Sequence, residues 1–478
     1  MNLASVPAVL GLAWKLNPEN VDTMPHFRAG AKTRQMGRLA VGAIMAGVVL
    51  ALTPAASASA GQARPVYNEI IGTGQSLSTG LFANPAISTT ALWPTMALMT
   101  NLGVRQVVDR GELFHVLDPA LITTLVPLVE ASTPDHDGET IGAGMTFQIN
   151  ELALEAGQPP WPVVFSAHGV TGASYAMLKR GTVPYRNTVA TVKRVAALLK
   201  RMGIGDVVRA MTLTHGETDG MMGASAADYE ADLVQWRGDY DTDLRAITGQ
   251  REHLMLLTDQ VNNYTSRVLG ARAATTSVIP SAQLQAALDH PDSIVLVCPK
   301  YWLTYYRKDG AHLTNQSEEL LGEKYGEALK QTFLGGSVWK PLYITSAKVE
   351  NNLITLSYHI PSPPLAFDTI AIRDPGNLGF VYSDDSPARP SIKAVELANG
   401  NSQVRIRLSA APSAPAGHRH VQYAWMGSLG CGGGGCDAGP LSGPRGNLRD
   451  SDPVTSRLGR GTDPIHLYNW AVTQDFVF

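Results

Sequence analysis

The sequence predicts an α/β fold, a parallel sheet covered by helices, followed by a β-sandwich. Three observations carry that prediction. Between about residues 65 and 335, short apolar runs alternate with helix-like stripes. Near Trp339 the texture changes to short strand candidates separated by turn residues. A glycine–serine turn, Gly74-Gln75-Ser76, follows the first strand candidate. Open α/β folds place their chemistry at that kind of sheet edge.

The amino terminus reads as a targeting segment. Arg28, Lys32, Arg34 and Arg38 precede the apolar stretch Leu39 to Leu52, and Ala56-Ser57-Ala58-Ser59-Ala60 offers small residues for cleavage. A signal peptide region is therefore expected over residues 1–60 and the protein is expected to be secreted or periplasmic. The apolar stretch is short for a bilayer span, so no stable membrane span is expected after signal removal. Charged residues make up 17% of the 478-residue chain and apolar residues 44%, a globular composition. The formal charge of -3 gives no electrostatic reason to expect nucleic acid as a partner.

The elements follow in order. Val66 to Ile71, Pro162 to Phe165, Val207 to Leu213, Leu254 to Leu257 and Ile294 to Cys298 are apolar runs of the length expected for strands buried on both faces. Val189, Val192, Val195 and Leu199 form one helical stripe, and Tyr229, Leu233, Trp236, Tyr240 and Leu244 another. Asn315 with Glu318 three residues later resembles a helix start, followed by Leu320, Leu321, Tyr325 and Leu329. Residues 80–138 are less regular and are expected as loops over one sheet edge. This first domain is expected to span residues 61–338.

Residues 339–478 form the expected β-sandwich accessory domain. Its strand candidates include Leu353 to Tyr358, Thr369 to Ile372, Val404 to Leu408 and Val421 to Trp425, with hairpin turns at Asn351-Asn352 and Asn399-Gly400. Cys431 and Cys436 bracket four glycines, and an exported chain could close them as a disulfide. Cys298 ends an apolar run and reads as a buried, unreactive thiol.

Four blocks carry chemistry. In Gly74-Gln75-Ser76 a serine hydroxyl needs a base to become a nucleophile. Position 78 is serine, so the Gly-x-Ser-x-Gly elbow of the α/β-hydrolases is not matched. In Asp309-Gly310-Ala311-His312, the aspartate can hold one imidazole nitrogen while the other faces the serine. His215-Gly216-Glu217-Thr218-Asp219 packs polar groups at a strand end, which is costly unless they are hydrogen-bonded. Its His-x-Glu opens the zinc deaminase signature, but the Pro-Cys-x-x-Cys that must follow is absent, so no metal is expected. In Gly169-Val170-Thr171-Gly172-Ala173-Ser174, glycines can present backbone N–H groups to a developing oxyanion.

Taken together and in this order, the four blocks resemble the SGNH, or GDSL-like, hydrolases over about residues 65–335. The Gly-Gln-Ser and Gly-Glu elements look most like the sialate O-acetylesterase and carbohydrate acetylesterase branch. The resemblance implies a flavodoxin-like three-layer α/β/α domain. It implies Ser76 as nucleophile and oxyanion donor, Gly172 as second donor, and Asp309 with His312 as the base pair. A Gln commonly precedes Gly-Glu in that branch as third donor; here His215 holds the place. Gln75 and Glu217 would support the site. The implied activity is a serine esterase on acetyl esters of a carbohydrate or small molecule, with no cofactor. Two alternatives stand beside it: a general short-chain esterase or lipase, and a non-catalytic carbohydrate-binding protein working through the β-domain. The oligomeric state is not legible.

Overall fold

The computed structural model describes residues 65–107, 114–427, 436–459 and 463–478. The expected signal peptide over residues 1–60 lies outside the described residues. The described residues belong to one compact unit.

Seven strands build the main sheet: β1 (Val66–Gly74), β2 (Ala97–Thr100), β3 (Leu125–Pro127), β4 (Val163–Ala167), β5 (Gly205–Thr214), β6 (Met255–Gln260) and β7 (Ile294–Pro299). Their order is β3-β2-β4-β1-β5-β6-β7. Every neighbouring pair is parallel except β2 with β3. The apolar runs read from sequence are the five long strands, and β4, β6 and β7 are buried along their whole length. Within residues 80–138, expected as loops over one sheet edge, β2 and β3 extend the sheet. They are four and three residues long, too short to leave a period in the sequence.

Helices cover both faces. They are α1 (Ile141–Glu155), α2 (Tyr175–Leu178), α3 (Val183–Arg201), α4 (Glu217–Met221), α5 (Ala226–Thr248), α6 (Ile279–Asp289) and α7 (Asn315–Leu329). One core joins sheet residues to Phe147 of α1 and Leu321 and Tyr325 of α7. A second joins them to Val192 of α3, Trp236 and Tyr240 of α5 and Ile279 of α6. The result is three layers, α/β/α. Helices α1 and α7 cross closely because glycines meet backbone there: a Cβ on Gly144 would lie 2.3 Å from the Glu319 carbonyl oxygen. The side chain that caps α7 is Thr314, which accepts from the Ser317 N–H, one residue ahead of the Asn315 start read from sequence.

The carboxyl-terminal region is β-rich. Strands β8 (Tyr343–Glu350), β9 (Leu353–His359), β10 (Ala366–Phe367), β11 (Phe380–Asp384), β12 (Ile392–Ala398), β13 (Gln403–Leu408), β14 (Arg419–Tyr423), β15 (Leu448–Arg449) and β16 (Gln474–Val477) form three sheets. Their orders are β12-β13-β9-β8, β11-β14-β16 and β10-β15, and all pairings are antiparallel. The two larger sheets share one core with Ile354, Leu356, Val404, Ile406, Phe380 and Val421. Tyr301, which follows β7, is part of that core, and its hydroxyl donates to the Ala471 carbonyl at 2.5 Å. Asn351, Asn399 and Gly400 take φ of 54°, 51° and 64°, as hairpin turns require. The strand expected at Thr369–Ile372 does not form. Asp368 accepts the N–H groups of Ile370 and Ala371, and this local turn wins over β-branched propensity.

Cys298 is a buried free thiol whose pKa is pushed up by burial, which matches an unreactive core residue. Cys436 is disulfide-bonded, and Cys431 lies outside the described residues. No helix among the described residues is long and apolar enough to cross a membrane.

Candidate active site

Ser76 stands at the carboxyl end of β1, the strand with β4 on one side and β5 on the other. Gly74 leaves the sheet with φ of 134°, and a Cβ there would lie 2.2 Å from the Thr214 carbonyl oxygen. Only glycine lets the chain turn this tightly against the end of β5. The Gln75 N–H then donates to Thr214 O at 3.1 Å. Residues Ser76–Thr79 form a 3-10 turn, tied by the Ser78 hydroxyl to Gln75 O at 2.7 Å and the Thr79 hydroxyl to Ser76 O at 2.9 Å.

The structure brings His312, 236 residues away, and its neighbour Asp309 to this serine. His312 Nε2 lies 2.7 Å from Ser76 Oγ, and its Nδ1 lies 2.6 Å from Asp309 Oδ2. A carboxylate can only accept, so Nδ1 carries the proton and Nε2 presents its lone pair to the serine O–H. Asp309 Oδ1 accepts the N–H groups of Ala311 at 2.9 Å and His312 at 3.2 Å, which fixes the carboxylate against its own turn. The turn is held from outside as well. Asn263 Nδ2 donates to Ala311 O at 2.9 Å, and the Ala438 N–H from the β-rich region donates to Gly310 O at 2.9 Å. Such a chain can take the serine proton as the oxygen attacks an electrophile, then return it to a leaving group.

The turn that carries Gly172 lies against the serine turn. The Val170 N–H donates to Gly74 O at 3.0 Å, and Gly172 has φ of 74°. Among the described residues, no acceptor takes the N–H of Ser76 or of Gly172. Backbone N–H groups of this kind are the donors that the expected oxyanion hole would use.

His215, expected as the third donor, turns its ring nitrogens to other partners in this structure. It is fully buried and its ring stands with Nδ1 2.9 Å from the Tyr229 hydroxyl and Nε2 3.2 Å from Ala173 O. Burial lowers its pKa to about 4, so it is neutral at pH 7. The carbonyl can only accept, so Nε2 holds the proton and Nδ1 accepts from Tyr229. The single N–H of His215 is thus directed at the Ala173 carbonyl, with Asp219 Oδ2 also within 3.3 Å of Nε2.

The rest of the His215–Asp219 block holds the same turn. The Thr218 hydroxyl donates to Gly172 O at 3.3 Å, and the Thr218 N–H donates to Gln75 Oε1 at 3.2 Å. Both carboxylate oxygens of Asp219 lie 3.2 Å from the Tyr175 N–H. Burial raises the Asp219 pKa to about 6. Glu217 is anchored by Lys300, whose Nζ lies 3.4 Å from Glu217 Oε1 and 2.5 Å from Asp259 Oδ1. Burial works against the lysine charge, yet Asp259 and Glu217 outweigh it and leave the Lys300 pKa raised. Lys300 and Asp259 escaped the sequence reading; the one signal was a lysine directly after the apolar run ending at Pro299. Among the described residues, no three His, Cys, Asp or Glu side chains are placed to hold a metal ion.

No protein-family model matches the chain, and no curated protein matches it. Solved structures do. A carbohydrate acetylesterase from Xanthomonas citri is 14% identical over 86% of this chain and 80% of its own, with a TM-score of 0.50. A protein from Arabidopsis thaliana is 18% identical over 56% of this chain and 99% of its own, TM-score 0.38. NanS is 11% identical over 57% of this chain and 99% of its own, TM-score 0.38. The first likeness establishes a shared fold, and its 86% reach extends past the α/β layers into the β-rich region.

Proposed function

We propose that the chain is an exported serine esterase of the SGNH type that removes acetyl groups from a carbohydrate. The observation that carries this reading is the hydrogen-bonded chain Ser76–His312–Asp309. The shared fold with a carbohydrate acetylesterase supports the substrate class by analogy alone.

In the proposed reaction His312 Nε2 takes the Ser76 proton while Oγ bonds to the ester carbonyl carbon. The carbonyl oxygen becomes an oxyanion facing the N–H groups of Ser76 and Gly172. Collapse breaks the bond to the alcohol oxygen, which leaves with the proton from His312. Asp309 keeps the imidazole in the required tautomer and stabilises the imidazolium between the two transfers. Water then attacks the acetyl-serine, its proton passes to His312, and the Oγ–carbon bond breaks to release acetate and restore the serine hydroxyl.

The test is acetate release from a panel of acetylated glycans, with Ser76→Ala and His312→Ala as controls. Release from at least one glycan that both variants lose supports the reading. Activity that persists as the acyl chain is lengthened past propionyl replaces it with a general short-chain esterase. Full activity in Ser76→Ala rejects a serine mechanism.

A further inference from the structure

Eight non-glycine residues among the described residues have positive φ, and two of them meet beside His312. They are Phe82, with φ of 64°, and His136, with φ of 70°. Left-handed backbone is strained for a bulky residue and persists only where its surroundings impose it. Here they do: the Phe82 N–H donates to His136 O at 2.9 Å, and the flanking Ala83 and Gly80 carbonyls accept from Glu139 and Gly138 at 2.8 and 2.9 Å. The consequence is a ring set against the imidazole. The Phe82 centroid lies 5.3 Å from that of His312 at an interplanar angle of 69°. Phe82 also stacks on Tyr306 at 5.3 Å and 12°, with His136 at 6.0 Å. Phe82 and Tyr306 are half-buried and His136 is exposed, so the group reaches the surface.

We infer that Phe82, Tyr306 and His136 form the wall of the alcohol subsite, and that the alcohol is a ring with a flat apolar face, a pyranose or an aryl group. The inference rests on the esterase reading above. His312 must hand its proton to the leaving oxygen, so the alcohol departs past the imidazole. The acyl carbon and the oxyanion belong to the Ser76–Gly172 side. Residues on the rim of His312 therefore meet the alcohol. The exposed parts of these rings offer apolar surface that a ring alcohol can cover and a short acyclic alcohol leaves largely bare.

The test compares acetate release from a methyl pyranoside monoacetate, phenyl acetate and ethyl acetate. All three pass through the same acetyl-serine, so differences report the alcohol. Phe82→Ala is expected to lower the ratio of kcat/KM for a ring ester to that for ethyl acetate by about tenfold or more. A fall for the pyranoside alone makes the occupant a sugar, and a fall for phenyl acetate alone makes it an aryl alcohol; both support the wall. Equal losses on all three esters overturn it, as does a change in selectivity between acetate and butyrate esters instead. Phe82→Asn, which tolerates the positive φ, and Tyr306→Ala serve if the alanine variant does not fold. A wild type that hydrolyses none of the three esters rejects the esterase reading and the inference with it. An active wild type with an unchanged ratio in the variants rejects the inference alone.

Discussion

Lys300→Met removes a buried cation and leaves its partners in place. Lys300 is fully buried, with Asp259 Oδ1 at 2.5 Å and Glu217 Oε1 at 3.4 Å. Asp259 Oδ2 already accepts from the Thr214 and Tyr325 hydroxyls, at 2.7 and 2.8 Å, so the carboxylate cannot swing to a new partner without breaking these. Methionine fills the volume of the lysine stem but supplies no charge. Removing one member of a buried ion pair costs about 3–5 kcal/mol, because the other charge stays buried without compensation. For a unit of roughly 400 residues the unfolding entropy is about 0.8 kcal/mol/K, so the melting temperature should fall by about 4–6 °C. The assay is reversible thermal or chemical unfolding at pH 7. Adding Asp259→Asn should recover part of the loss. A single variant within about 1 °C of wild type, or a double variant with no recovery, would show that Lys300 does not act as counter-charge to these carboxylates.

Two further outcomes follow from the same geometry. His215→Ala removes the donor to Ala173 O and loosens the turn that carries Gly172, so kcat on phenyl acetate should fall about tenfold or more with little change in KM, while His215→Gln, which keeps an N–H donor, should recover much of it. A rise in KM at unchanged kcat would contradict this. His168 sits near full burial with Nε2 2.9 Å from Ser166 Oγ, and burial lowers its pKa from 6.5 to about 3. The folded state keeps it neutral while the unfolded chain takes up a proton below pH 6.5, so its stabilising contribution is lost as pH falls from about 6.5 toward 3. Between pH 7 and pH 5 that loss is about 2 kcal/mol, and His168→Gln should shed it. Denaturant curves of the two proteins at both pH values check this, and parallel losses in both would contradict it.

The parts of the fold that showed in the sequence are those with a local cause. Strands β4, β6 and β7 are buried throughout, so their composition alone marks them. Ala97–Thr100 and Leu125–Pro127 gain their strand character from pairing at the sheet edge, which no short window records. Among the site residues, Ser76 showed through its glycine turn, and Asp309 and His312 through their three-residue spacing. The direction in which His215 points is decided by Tyr229 and Ala173 in three dimensions, and residue order did not contain it. The partner of Glu217 lies 83 residues away, and Phe82 is marked only by its backbone conformation.

The central claim is that Ser76 is a nucleophile activated by His312. Covalent labelling with an alkyl fluorophosphonate, followed by intact mass and peptide mapping, tests it without assuming a substrate. One adduct on Ser76 is expected, absent in Ser76→Ala and formed at least about a hundredfold more slowly in His312→Ala. An adduct on another residue, or labelling of Ser76 at the wild-type rate without His312, would show that the chain Ser76–His312–Asp309 is not the reacting group.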